Sequence, residues 1–178
     1  KTWHMPPGPE AEAELSSAFE AMRAGPDEDP KLVVEGRLLP ARRRAGSALW
    51  YDFATLCDGP RSQRDYLELA CRFSVLFLSD IPRMTAEMSD RARRFTWLVD
   101  ILYDHRVKLL ASAAAPPWDL YTEGPNSQEF SRTASRLIEM QTRDYMGEAH
   151  VAAGAGAETG APVRAHAVDG RPPPWSDP

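Results

Sequence analysis

Lysine is scarce in this chain. Of its 21 Lys and Arg residues only Lys1, Lys31 and Lys108 are lysine, in 178 residues. None of the three follows a glycine here, so the phosphate-gripping sequence G-x-x-x-x-G-K-[ST] does not occur in it. Cysteine is scarcer still. Cys57 and Cys71 are too few for a disulfide framework or a cysteine-based zinc site, which fits a reducing compartment. No apolar run approaches the roughly 18 residues of a transmembrane helix, and no signal-peptide apolar region follows Lys1. The chain opens on lysine, not methionine, as a piece of a longer protein would. A net positive charge is missing too. The formal charge of −5 argues against broad nucleic-acid binding, so no nucleic-acid partner is expected. The serine-hydrolase elbow G-x-S-x-G is absent. His4, His105, His150 and His166 have no carboxylate or histidine at metal-ligand spacing, so no metal site is expected.

What is present is ordinary globular material: 43% hydrophobic and 26% charged residues, enough for one domain with a core. Prolines and glycines punctuate it. Residues 1–30 read as a Pro/Gly-rich lead-in and an amphipathic helix over 10–23, with Ala11, Leu15, Ala18, Phe19 and Met22 on one face. Residues 31–146 read as an α/β domain. Within it, 32–39 has a strand pattern bent or bulged at Gly36, followed by an exposed basic loop capped by Arg42, Arg43 and Arg44. Residues 48–53 form a second strand, expected to pair with the first as a hairpin. Ser62 has the form of an N-cap with Asp65 at the third helical position, opening a helix to about Phe73 that buries Tyr66, Leu67, Ala70, Cys71 and Phe73.

Val75–Leu78 is a continuous apolar run, as suits a strand covered on both sides, and Val107–Leu110, interrupted by Lys108, is another apolar run. Between them a helical stripe runs through Met88, Ala92, Phe95, Val99 and Leu102. Strand, helix, strand at this spacing is a βαβ unit with parallel strands and a right-handed crossover. Parallel strands gather ligands at their carboxyl ends, here Asp80 and Ser112. A last helix is expected from a capping box at Asn126–Glu129 to about Tyr145. Its Arg132, Arg136, Glu139 and Arg143 fall along one face, and Phe130, Ala134, Leu137, Ile138 and Tyr145 near another. Residues 147–178, rich in Ala, Gly and Pro, read as a disordered tail.

Several residues carry chemistry in more than one reading. Hydrophobic residues leading to Asp80 have the form of a Walker B strand, whose acid holds magnesium, but Ile81 stands where a second acid is usual. The alternative is that Asp80 caps the next turn. Arg132 and Arg136, four residues apart on a helix, suit phosphate because the guanidinium fork is always charged and bonds two oxygens at once. The alternative is a solvated face with Arg136–Glu139 and Glu139–Arg143 pairs. Cys57 is expected to be a buried structural thiol. Gly154–Gly160 has its third glycine one place late for a dinucleotide fingerprint, with no strand before it.

Read in order, Phe53–Cys57 (FATLC), Asp65–Leu67 (DYL), Leu78–Pro82 (LSDIP), Ala92–Phe95 (ARRF), Leu98–Asp100 (LVD), Leu102–His105 (LYDH), Val107–Ala113 (VKLLASA), Leu120–Tyr121, Phe130–Met140 (FSRTASRLIEM) and Asp144–Tyr145 resemble the C-terminal half of the ZapE-type cell-division ATPases, an AAA+-like P-loop family with mitochondrial relatives. The resemblance runs from about Trp3 to Tyr145. It implies a parallel-sheet, P-loop-NTPase-like α/β fold with a βαβ unit, an N-terminal hairpin and flanking helices. It implies ATP and Mg²⁺ for the complete protein, whose Walker A, Walker B and first sensor would lie upstream of these residues; neither cofactor is demonstrable for this chain alone. It further implies a missing N-terminal ATPase half as partner, a homo-oligomer, a cytoplasmic bacterial setting with recruitment to the septum, and the tubulin-like division protein FtsZ as a further partner. Arg132 and Arg136 are then candidate arginine-finger or sensor residues, and Asp80 and Ser112 candidate nucleotide contacts. The 75–121 block is expected to be a decayed copy of the upstream Walker B-to-sensor block, or an added edge of its sheet, which requires its two strands to be parallel neighbours. Two other readings stand beside this one: a non-catalytic partner-binding or oligomerisation module, favoured by the exposed-looking Trp3, Trp50 and Trp118, and a truncated gene product without activity of its own.

Overall fold

The computed structural model describes residues 1–152. Its centre is a five-stranded sheet built from β1 (Trp3–His4), β4 (Arg43–Ala45), β5 (Ala48–Asp52), β6 (Val75–Ile81) and β7 (Lys108–Ala113), in the order β1-β7-β6-β5-β4. The pairings β1–β7, β7–β6 and β6–β5 are parallel, and only β4 runs antiparallel, against β5. The fold is therefore the mostly parallel α/β arrangement that the βαβ pattern implied. The two strands of that unit are neighbours in one sheet, with α4 (Ser89–Asp104) as the crossover.

Both faces of the sheet are covered, which is why its central strands read as mostly apolar runs. Successive side chains point to opposite faces. Trp50, Phe77 and Leu110 face α1 (Pro9–Met22), where Leu15 and Phe19 meet them in a small core. Tyr51, Leu76, Leu78, Leu109 and Ala111 face the larger core formed with α2 (Phe53–Cys57), α3 (Gln63–Arg72), α4 and α5 (Phe130–Glu139). At the start of α3 the backbone N–H of Ser62 donates to Asp65 Oδ2 at 2.8 Å, so the expected helix start holds. Leu67 and Cys71 depart from the expected buried face: Leu67 is exposed and Cys71 half-buried.

The hairpin expectation needs correction. Residues 31–40 are not one bulged strand paired with 48–53. They form a separate two-stranded sheet, β2 (Lys31–Val34) against β3 (Arg37–Pro40). Glu35 and Gly36 both take positive φ, 49° and 75°, which is the two-residue turn whose twist suits a hairpin. Arg42–Arg44 is not an exposed loop cap either; Arg43 and Arg44 belong to the edge strand β4, which turns back into β5 through Gly46 at φ 59°. The last helix is shorter than expected. Asn126–Glu129 are turn residues, α5 starts at Phe130, and the helix ends after Glu139, with a turn before α6 (Arg143–Gly147), whose N-cap Thr142 accepts from the Tyr145 N–H at 3.2 Å. Arg143 therefore does not share a helix face with Arg132 and Arg136. Trp3 and Trp50 are buried, leaving Trp118 as the exposed one of the three. Of the expected tail only 147–152 is described; the rest, with Gly154–Gly160, lies outside the described residues.

Candidate functional site

The carboxyl edge of the parallel strands collects the polar groups. β6 does not end at Asp80. Leu78 pairs with Ala111 and Ile81 with Ala113, so β6 spends one residue more than β7 over this stretch. The extra residue makes a bulge, a device that re-aims side chains at sheet rims. Asp80 adopts φ 65°, and its N–H, turned away from the ladder, donates to Ser112 Oγ at 2.8 Å. The two strand-end residues singled out by sequence are thus bonded to each other. Ser112 is fully buried, whereas the Asp80 side chain is exposed.

Around Asp80 stand Asp52 from the end of β5 and Glu12 from α1, with Arg42 between them. Arg42 donates to Glu12 Oε2 at 2.6 Å, Asp52 Oδ1 at 3.1 Å and Ser79 Oγ at 2.8 Å, and lies 4.5 Å over the Trp50 ring. Trp50 Nε1 donates to the same Ser79 hydroxyl at 2.9 Å. Burial pushes the Asp80 carboxyl pKa above its ordinary value, and Glu12 and Asp52 push the same way against Arg42. For Glu12, burial raises the pKa, but the hydrogen bonds from Arg42 and Ser79 and the Arg42 charge outweigh it, leaving it low. Sequence reasoning missed Arg42 as the organiser of this edge, because nothing local connects it to Glu12 or Ser79.

This edge does not fit a triphosphate with its magnesium. Three carboxylates face one guanidinium, and α2 follows β5 directly, with no glycine-rich turn to bring backbone N–H groups to a phosphate. No chemical step is assigned to a nucleotide here.

The arginines of α5 lie on a different surface and share no partner with Asp80 or Ser112. Arg136 pairs with Asp100 on α4 and lies 4.8 Å over the Tyr103 ring, whose hydroxyl donates to Glu139 at 2.7 Å. Expected pairing of Arg136 and Arg143 with Glu139 is replaced by these contacts to α4. Arg132 is exposed and makes no ion pair among the described residues. The arginines therefore divide into one that clamps α5 to α4 and one that is uncommitted. Beside them a groove of about 390 Å³ is lined by Trp118, Tyr121, Phe130, Ser131, Ala134 and Ile138; Trp118 is 61% and Ile138 44% exposed.

A mostly parallel sheet covered on both faces, with polar groups gathered at its carboxyl edge, defines a P-loop-NTPase-like α/β protein. Comparison with known proteins narrows that class: the chain belongs to the AFG1-like ATPase family, which it matches over residues 1–149. It is 37% identical over 151 residues to the cell division protein ZapE of Escherichia coli strain K12, covering 84% of this chain and 40% of that protein. It is 31% identical over 172 residues to lactation elevated protein 1 homolog B of Danio rerio, covering 77% of this chain and 34% of that protein. An uncharacterized protein of Schizosaccharomyces pombe is 37% identical over 109 residues, 61% of this chain and 24% of that protein. The chain thus spans two fifths or less of the length of these relatives. No solved structure matches it significantly. Among the described residues no helix is long and apolar enough to cross a membrane.

Proposed function

We propose that this chain is the C-terminal portion of a ZapE-like ATPase that couples ATP hydrolysis to bacterial cell division, and that Arg132 is its contribution to the chemistry. The observation that carries this reading is the contrast on α5. Arg136 is committed to Asp100, which holds the helix in place, while Arg132 projects from the same helix with no ion pair among the described residues. A fixed helix presenting a free guanidinium is what neutralising a transferring phosphoryl group needs. The nucleotide and its Mg²⁺ would be held by an upstream half, of the same or a neighbouring subunit in a homo-oligomer. FtsZ is the division partner this reading implies, and the bacterial cytoplasm with septal recruitment is the setting.

The test joins the chain to the upstream half of its own protein and measures ATP turnover. Arg132→Ala should lower kcat by about 10³–10⁵ if it acts as an arginine finger, while nucleotide binding persists. Arg136→Ala should instead lower stability, with Arg136→Lys recovering part of it. Unchanged turnover in Arg132→Ala refutes the assignment. The groove with the exposed Trp118 and Ile138 favours a second reading, a non-catalytic docking module; partner capture without nucleotide that is lost in Trp118→Ser would support it.

A further inference from the structure

Outside the carboxyl edge and α5, the structure brings together two groups that lie 34 residues apart in sequence. Cys71 Sγ at the end of α3 lies 3.8 Å from His105 Nε2 at the end of α4. The other ring nitrogen of His105 sits 2.9 Å from the carbonyl of Ile101. A carbonyl only accepts, so Nδ1 carries the proton and Nε2 presents its lone pair to the sulfur. His105 is buried, and among the described residues its Nε2 has no partner but that sulfur. Cys71 is half-buried and lines an open hollow of about 350 Å³ with Glu35, Arg64, Leu67 and Glu68, so small molecules reach it. Nucleophile, base and base-orienting carbonyl thus stand in the order that activates a thiol.

We propose that Cys71 and His105 form a reactive thiol–imidazole pair, a modification site for hydroperoxides. The sulfur attacks one peroxide oxygen, so an S–O bond forms as the O–O bond breaks. The thiol proton passes to His105 Nε2 and on to the departing oxygen, which leaves as water or an alcohol. Cysteine is oxidised by two electrons to the sulfenic acid and the hydroperoxide is reduced by the same two. Burial raises the Cys71 pKa, so the resting group is the thiol and its reaction depends on the imidazole as proton acceptor. Cys57 provides an internal contrast, since it is fully buried and its pKa is pushed up to about 12 by burial. The consequence is local. His150 donates to the carbonyl of Ala70 at 2.6 Å and the Val151 N–H to the carbonyl of His105 at 2.8 Å, so the segment after α6 is tied to both halves of the pair.

The experiment treats the full chain with hydrogen peroxide, traps sulfenic acid with dimedone, and follows each cysteine by mass spectrometry. The same rates are measured in the urea-unfolded chain, where both thiols are fully exposed. The expected result is a Cys71 rate higher in the native chain than in the unfolded one, by about tenfold or more where general-base help operates, with Cys57 protected. Folded His105→Asn should lose that excess. A native Cys71 rate equal to or below the unfolded rate overturns the proposal, and so does an excess that survives His105→Asn. Where His105→Asn does not fold, the native-to-unfolded comparison decides alone.

Discussion

Truncating Phe19 to alanine tests whether α1 is an integral layer of this fold. Phe19 is fully buried, 5.1 Å from Phe77 in an edge-on contact and 5.8 Å from Trp50, with the Arg43 guanidinium 4.3 Å over its ring. A buried Phe→Ala change costs about 3–5 kcal/mol. The two aromatic contacts, worth roughly 0.5–1.5 kcal/mol each beyond area, keep this site off the bottom of that range, at about 4 kcal/mol. Against a total stability of roughly 5–15 kcal/mol, that is a large loss. The assay is equilibrium urea unfolding followed by tryptophan fluorescence. With a urea dependence of about 2 kcal/mol per molar for a domain of this size, the midpoint should fall by about 2 M. Ser16→Ala, an exposed change on the same helix, should stay within about 0.5 kcal/mol. A Phe19→Ala midpoint shift below about 0.5 M with the slope unchanged would refute the reasoning, because α1 would then not be packed as described.

Three further outcomes follow from the carboxyl edge. Ser112→Ala removes the acceptor of the Asp80 N–H inside a buried bulge and should cost about 1–3 kcal/mol in the same unfolding assay. The Asp80 carboxylate is disfavoured in the folded chain, so its charge costs stability above its raised pKa, and the cost disappears as pH falls through that value toward the ordinary 3.8. Asp80→Asn, which tolerates the same left-handed backbone, should therefore stabilise the fold slightly at pH 7, by under about 1 kcal/mol given solvent screening, and lose that advantage in acid. Glu12 behaves oppositely: its lowered pKa contributes stability that is complete above 4.5 and is lost as pH falls through the folded value. Acid unfolding profiles of Glu12→Gln should show a shallower decline below pH 4.5 than the parent.

The parallel sheet was legible because burial on both faces leaves a plain trace: Val75–Leu78 is apolar at every position, and Val107–Leu110 is apolar but for Lys108. Pairing partners leave no such trace. Residues 32–39 read as one strand bulged at Gly36, because a glutamate at position 35 gives no sign that it will adopt positive φ and close a two-residue turn. Identical periodicity also hid a difference between Arg132 and Arg136, which only the position of Asp100 on a neighbouring helix reveals. Asp80 and Ser112 were both legible as belonging to strand ends. Their hydrogen bond was not, since it depends on a one-residue bulge and joins residues 32 positions apart in the chain. The tryptophans make the same point: Trp50 and Trp118 look alike in sequence, and one is sealed under α1 while the other stands in solvent.

β1 has a consequence for how the chain acquires its shape. Among the described residues this two-residue strand meets only β7 in the sheet, and the Trp3 indole donates to the carbonyl of Ala115, 112 residues further along. On a ribosome, β1 emerges long before β7, its neighbour among the described strands. β4, β5 and β6 can assemble as synthesis proceeds, but β1 gains its hydrogen bonds only after β7 has appeared. So few bonds across so long a loop give little return for early closure. Among the strands described, Trp3 and His4 dock late, and their docking reports that β7 is already in place.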